Sequence, residues 1–211
     1  MSRAMPGPVR FVYFDLGKVI VDFDVSRMCR QMAEVAGVSA ELVHEALYGE
    51  GLQRQYELGL ISTEEFYESF CRRIGACPRP EELLHAACDI FSLNLSVVPI
   101  VCRLALMRFP IGLLSNTCEA HWQYINRRYR GVAELFRLGC ASYQVHAMKP
   151  DPEIFRRAAQ LAGCPPEEIF FVDDHEPNVR GAQAVGFQAV VFQGAESLAD
   201  ELRARGISVD Y

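Results

Sequence analysis

Three features of the 211-residue sequence predict an α/β fold, a parallel sheet core carrying an inserted α-helical module. Five short apolar runs, each closed by polar or glycine signals, read as buried parallel strands: Phe11 to Phe14, Ile111 to Leu114, Leu138 to Ala141, Ile169 to Val172 and Phe187 to Phe192. Helical periodicity fills the segments between them, and alternation of strand and helix implies a layered, Rossmann-like arrangement with right-handed crossovers. From about Asp24 to Leu95 the helical pattern runs on with no convincing strand, which is too long for one crossover.

The insertion follows the first strand. Its helices are expected at Ser26 to Ala36, Ala40 to Tyr48, Thr63 to Ile74 and Pro80 to Phe91, separated at Gly49 to Gly51 and Gly75 to Pro80. Asp22 and Asp24 stand where a cap for the first of them belongs. Ser62 with Glu65 forms a capping box, in which each side chain satisfies an orphan amide at the helix start. Helices of the sheet layers are expected at Val97 to Met107, Ala120 to Tyr129, Pro152 to Ala162, Asn178 to Ala184 and Ser197 to Arg205. Asp151 and Pro152 suit an N-cap and first helical position, and Ser197 precedes the last amphipathic run. The chain therefore divides into a core of residues 1–22 and 96–211 and a helical module of residues 23–95.

Composition narrows the function. Half the residues are hydrophobic and 23% are charged, the usage of a folded globular protein. A net charge of -6 and a pI near 5.4 provide no basic footprint, so nucleic acid is not an expected partner. No apolar run approaches the ~18 residues of a membrane span, and Met1 to Arg10 lacks the apolar core of a signal peptide, so a cytoplasmic location is expected. The eight cysteines form no C-x-x-C pair, and several lie in apolar segments, where Cys acts as a small hydrophobe; reduced structural thiols are expected.

In an open parallel sheet, ligands bind beyond the carboxyl ends of the strands, so the residues after each apolar run carry the chemistry. Asp15 follows the first strand, Ser115-Asn116-Thr117 the second and Asp173-Asp174 the fourth, while Lys149-Pro150 leads into the helix after the third. Two or three carboxylates with a backbone carbonyl make a hard oxygen site suited to Mg²⁺. A lysine and a hydroxyl would neutralise and orient the remaining phosphate oxygens. A carboxylate in that field can attack phosphorus and form an aspartyl-phosphate.

These segments resemble, in order, the four motifs of the haloacid dehalogenase (HAD) superfamily: Phe11-Val12-Tyr13-Phe14-Asp15, Leu113-Leu114-Ser115-Asn116, Lys149-Pro150-Asp151-Pro152-Glu153-Ile154-Phe155, and Phe171-Val172-Asp173-Asp174 with Asn178. The resemblance implies that Asp15 is nucleophile and metal ligand, that the Gly17 carbonyl, Asp173 and Asp174 complete the magnesium site, and that Ser115, Asn116 and Lys149 hold phosphate. It also implies that the insertion is a small cap closing over the substrate, with residues near Tyr48 to Tyr56 at the entrance. The stretch Asp15 to Asp24, with Gly59-Leu60-Ile61-Ser62 and Glu65-Phe66, is similar to the branch containing α-D-glucose-1-phosphate phosphatases. The activity so implied is magnesium-dependent hydrolysis of a small, sugar-like phosphomonoester.

The pattern departs at Gly17, where most phosphatases of the superfamily carry an Asp that serves as general acid and base. Loss of that group costs typically about 10²–10⁴-fold. A leaving group such as an anomeric sugar oxygen would need it less. Other readings stay open here: a metal-independent haloacid dehalogenase, disfavoured by repulsion among three carboxylates without a cation; a phosphomutase; and a phosphate-binding or regulatory protein that has lost catalysis. Lys18 reads as a solvated loop lysine and His175 as a surface residue, with phosphate contact and proton relay as their respective alternatives.

Overall fold

The computed structural model describes residues 7–209. Strand β1 (Phe11–Phe14) leads through a tight loop into β2 (Val21–Phe23), and five helices follow: α1 (Val25–Ala36), α2 (Ala40–Tyr48), α3 (Leu52–Glu57), α4 (Thr63–Ile74) and α5 (Pro80–Cys88). The chain returns through β3 (Phe91–Leu93) to α6 (Val98–Leu106), β4 (Ile111–Ser115), α7 (Glu119–Arg128), the short α8 (Arg130–Ala133), β5 (Leu138–Ala141), α9 (Ser142–Val145) and α10 (Pro152–Ala162). A 3-10 turn (Pro166–Glu168), β6 (Ile169–Asp173), α11 (Glu176–Val185), β7 (Gln188–Val191) and α12 (Ala195–Ala204) complete it.

Five strands form one parallel sheet in the order β5-β4-β1-β6-β7. The chain steps outward from β1 through β4 to β5, then crosses back to β6 on the other side. From the adjacent strands β1 and β6 the chain runs on in opposite directions, to β4 and to β7, so a crevice opens between their carboxyl ends. Alternation along β1 feeds two cores: Val12 and Phe14 join Ile100, Leu104 and Leu202 on one face, and Phe11 and Tyr13 join Phe155, Ala158 and Phe171 on the other. Tyr13 satisfies its buried hydroxyl on the Ala158 carbonyl at 2.8 Å.

The inserted helices enclose an apolar cluster of their own, including Met32, Leu47, Phe70 and Leu83. Asp24 caps α1 by accepting from the Arg27 amide, and the Ser62/Glu65 capping box is present on α4. Asp22 lies in β2 instead, 4.0 Å from the Lys18 ammonium. Helix α7 ties this layer to the sheet. His121 bonds the Ala87 carbonyl at 3.2 Å, Tyr124 donates to Asp89 at 2.8 Å, and the Ala120 amide donates to the Tyr56 hydroxyl at 3.1 Å.

Several expectations need correction. The strandless insertion is bounded by a two-stranded antiparallel ribbon, β2 with β3, in which Val21 faces Leu93 and Phe23 faces Phe91. The expected helix to Phe91 accordingly stops at Cys88, because Asp89 leaves helical geometry and Phe91 is taken up by that pairing. A boundary between residues 22 and 23 cuts through β2. Helices α3, α8 and α9 were not expected; each has six residues or fewer, below the span over which periodicity can be read. The last helix begins at Ala195 after Gly194, whose φ of 119° suits a residue without Cβ, so Ser197 is not its cap. All eight cysteines are free, four of them buried. No helix among the described residues is long and apolar enough to cross a membrane.

Phe155 is wholly buried and meets Phe171 and Phe187 edge-on, at centroid distances of 5.9 and 5.7 Å. Phe155→Ala is expected to lower the unfolding free energy by about 3–5 kcal/mol, through lost transfer energy and the cavity left behind, measurable by urea denaturation.

Candidate active site

The carboxyl ends of β4, β1 and β6 meet at the Lys149 ammonium. Nζ lies 2.8 Å from Asp15 Oδ1, 2.6 Å from Asp173 Oδ2 and 2.9 Å from the Leu114 carbonyl. An ammonium has three donors, and each has an acceptor here. Burial opposes the charge on Lys149, but Asp15 and Asp173 together outweigh it and hold the group above the ordinary lysine range. For Asp15 the balance runs the other way. Burial pushes its carboxyl up to about 6, Lys149 opposes that shift, and Asp173 adds to it.

Asp173 is fully buried and heavily engaged: Oδ1 accepts from the His175 amide at 2.8 Å, and the Asn178 amide lies 3.1 Å from both oxygens. Asp174 is exposed beside it, yet desolvation first and the Asp173 charge second raise its pKa. Asp15, Asp173 and Asp174 can present oxygens within 4.8 Å of one another. Three carboxylates face one ammonium. This donor set fits a small hard dication, which would offset the surplus negative charge. The Gly17 carbonyl accepts no backbone hydrogen bond among the described residues and so keeps its lone pairs.

Asn116 uses both ends of its side-chain amide on the main chain of Lys149. Its oxygen accepts from the Lys149 amide at 2.8 Å and its nitrogen donates to the Lys149 carbonyl at 2.9 Å, so it fixes the backbone that carries the ammonium. The Ser115 hydroxyl is buried and, among the described residues, makes only a 3.4 Å contact with the Asn116 carbonyl. Lys18, at a φ of 60°, folds its ammonium onto the Phe23 carbonyl at 2.9 Å. His175 enters through its main chain, with an exposed side chain.

Beyond Ser115 lies a cavity of about 110 Å³ between sheet and insertion. Gly17, Ser115, Asn116 and Thr117 line it together with Phe23, Tyr48, Gln53 and Glu57. Tyr48 thus faces the cavity, whereas Tyr56 is buried in the helical cluster with its hydroxyl 2.8 Å from Thr63. A Cβ at Gly17 would stand 2.8 Å from the Phe23 ring, so Phe23 occupies the space that a side chain there would need. Gln53, Glu57 and Ser142 were not singled out in the sequence; nothing local distinguishes them, since they meet the site only through the docking of α3.

With this geometry in view, the comparisons with known proteins place the chain in a class. Residues 10–186 match the haloacid dehalogenase-like hydrolase family, and the chain belongs to that family of hydrolases. Among curated relatives it is similar to a D-ribitol-5-phosphate phosphatase of Bacteroides thetaiotaomicron, 25% identical over 189 residues that cover 85% of this chain and 90% of the relative. Among solved structures it is similar to a HAD-family enzyme of the same organism in complex with magnesium and inorganic phosphate, with a TM-score of 0.81 and 26% identity, covering 92% of this chain and all of that one. The L-2-haloacid dehalogenase of Xanthobacter autotrophicus shares the fold, with a TM-score of 0.62 at 19% identity over 95% of this chain and 84% of that one.

Asn116→Ala would strip both Lys149 main-chain groups of their partners. A stability loss of about 1–3 kcal/mol is expected, read by urea denaturation.

Proposed function

We propose that the protein is a magnesium-dependent phosphomonoesterase acting on a small polyol or sugar phosphate, with Asp15 as nucleophile. The observation that carries this reading is the linkage of Asp15, Lys149 and Asp173 at the crevice where the sheet reverses its order. The ester's phosphate would sit at the mouth of the cavity, where Ser115 offers a hydroxyl, while the buried Lys149 ammonium, its three donors held by Asp15, Asp173 and the Leu114 carbonyl, supplies positive charge beside Asp15. Asp15 attacks phosphorus, the ester oxygen departs, and water then hydrolyses the aspartyl-phosphate. Asn116 acts through Lys149, by holding its backbone.

Mg²⁺ would be held by Asp15, the Gly17 carbonyl, Asp173 and Asp174, and when bound it neutralises charge on the transferring group. Residues 23–95 then serve as the cap, which covers the cavity, limits water and selects substrate. The polyol phosphate class is suggested by the D-ribitol-5-phosphate phosphatase relative. The dehalogenase reading gains nothing from the structural likeness, which at 19% identity reaches only the fold.

Purified protein should release inorganic phosphate from pentitol 5-phosphates or sugar 1-phosphates in Mg²⁺, and lose the activity in EDTA and in Asp15→Asn. Release at equal rates by Asp15→Asn, or chloride release from a haloacid in EDTA, would refute the reading. Binding should also stabilise the fold. At Mg²⁺ a hundredfold above Kd the gain is about 2.7 kcal/mol, and the thermal midpoint should rise by roughly 5–10 °C, read by scanning calorimetry.

A further inference from the structure

Gly17 leaves the leaving group without a proton donor on the sheet side of the cavity, and the Phe23 ring fills the space where one would stand. The insertion holds a candidate. Glu57, the last residue of α3, lines the same cavity as Gly17, Ser115 and Asn116.

Its placement is built from both ends. At the side chain, the buried Gln53 donates to Glu57 Oε1 at 2.9 Å, and among the described residues no other protein donor reaches the carboxyl group. At the main chain, the Ser142 hydroxyl donates to the Glu57 carbonyl at 2.6 Å and accepts from the Thr117 amide at 2.9 Å. Ser142 is fully buried, so its oxygen bolts the end of α3 to the loop that carries Ser115. Two further contacts lock the same corner: His146 bonds the Leu58 carbonyl at 3.0 Å, and Gly59 packs so closely on Tyr143 that a Cβ would meet its carbonyl oxygen at 2.1 Å. The Ser142 hydroxyl thus registers an insertion helix directly against the segment that follows Ser115.

We propose that Glu57 is the general acid and base of the phosphatase reaction, supplied by the insertion in place of the residue missing at position 17. The proposal rests on the phosphomonoesterase reading above. In the first half, Asp15 forms a bond to phosphorus and the P–O bond to the leaving group breaks. The electron pair stays on the leaving oxygen, which takes the Glu57 carboxyl proton and departs as the alcohol. In the second half, Glu57 as carboxylate takes a proton from the attacking water. The new P–O bond forms, the bond to Asp15 breaks with its pair returning to the aspartate, and inorganic phosphate leaves.

The electrostatics agree with that role. Burial raises the Glu57 carboxyl above the ordinary range, against the opposing Gln53 bond and the Arg54 charge on its own helix. A phosphate in the cavity raises it further by like-charge repulsion. The other titratable groups facing it are Tyr48 from α2 and, at the start of α7, Cys118 and His121. Burial pushes Tyr48 up to about 12 and His121 down to about 4, and raises Cys118 too, so none of the three changes protonation near neutral pH. With an acid in place, a primary alkoxide such as a pentitol 5-phosphate releases is as acceptable as an anomeric oxygen.

Glu57→Gln keeps the shape and an acceptor for Gln53, so it isolates the proton. On an alkyl phosphate, kcat is expected to fall by about 10²-fold or more. With 4-nitrophenyl phosphate, whose leaving group needs no proton, the variant should give a rapid burst of one nitrophenolate per enzyme at the wild-type rate, then slow turnover as the phosphoenzyme accumulates. Glu57→Asp should recover part of the alkyl phosphate rate. An equal fall on both esters with no burst, or a raised KM with unchanged kcat on the alkyl ester, overturns the proposal and makes Glu57 a structural or hydroxyl-binding residue. If wild-type protein forms no phosphoenzyme from either ester, the phosphatase reading itself fails and this one with it.

Discussion

One buried ammonium governs the carboxyl end of the sheet. The three protons of Lys149 are claimed by three neighbouring strands, through the Leu114 carbonyl of β4, Asp15 after β1 and Asp173 at the end of β6. A slip of one residue in β1 or β6 would turn its carboxylate to the opposite face and leave a charge unpaired. Such buried ion clusters contribute little net stability, since desolvation offsets the attraction, but removing one partner is costly. The cluster specifies register. Its carboxylates still outnumber its cation, and that imbalance is what invites a dication and a phosphate to the same place.

Outside that centre the site is held by side chains that serve the main chain. Asn116 grips Lys149 on both its amide and carbonyl, and Ser142 bridges Thr117 to Glu57. The segment Ser115 to Thr117 is therefore fixed from the sheet side by Lys149 and from the helical side by α3. Chemical groups from two layers that fold around separate apolar clusters are brought together by a few polar contacts at a corner, with α7 supplying the remaining stitches.

The sheet and the positions of Asp15, Ser115 and Asp173 were legible in the sequence because each closes a strongly apolar run and a parallel sheet brings such ends to one edge, and Lys149 stood out because it leads into the helix after the third run. Ribbon β2–β3 was not legible: Val21–Phe23 is three residues long, and its partner lies beyond the whole insertion. No local pattern encodes that pairing. Helix α3 was hidden for a related reason, being six residues between Gly51 and Gly59, and with it went Glu57 and Gln53. Asn116 shows another limit. Its type and place suited phosphate, and only the folded chain reveals that each end of its amide also holds the Lys149 main chain.

The ribbon carries a consequence for how such a molecule can change over time. Because β2 and β3 are hydrogen-bonded to each other, the chain leaves the sheet and rejoins it at a single spot. Exchanging what lies between them alters loop closure entropy only logarithmically with length. The sheet can therefore accept a different insertion without relearning its own fold, and lineages can trade specificity by grafting there. In this chain the graft would carry off more than selectivity: if its proton donor resides on α3, the insertion and the catalytic residues of the sheet must be inherited together.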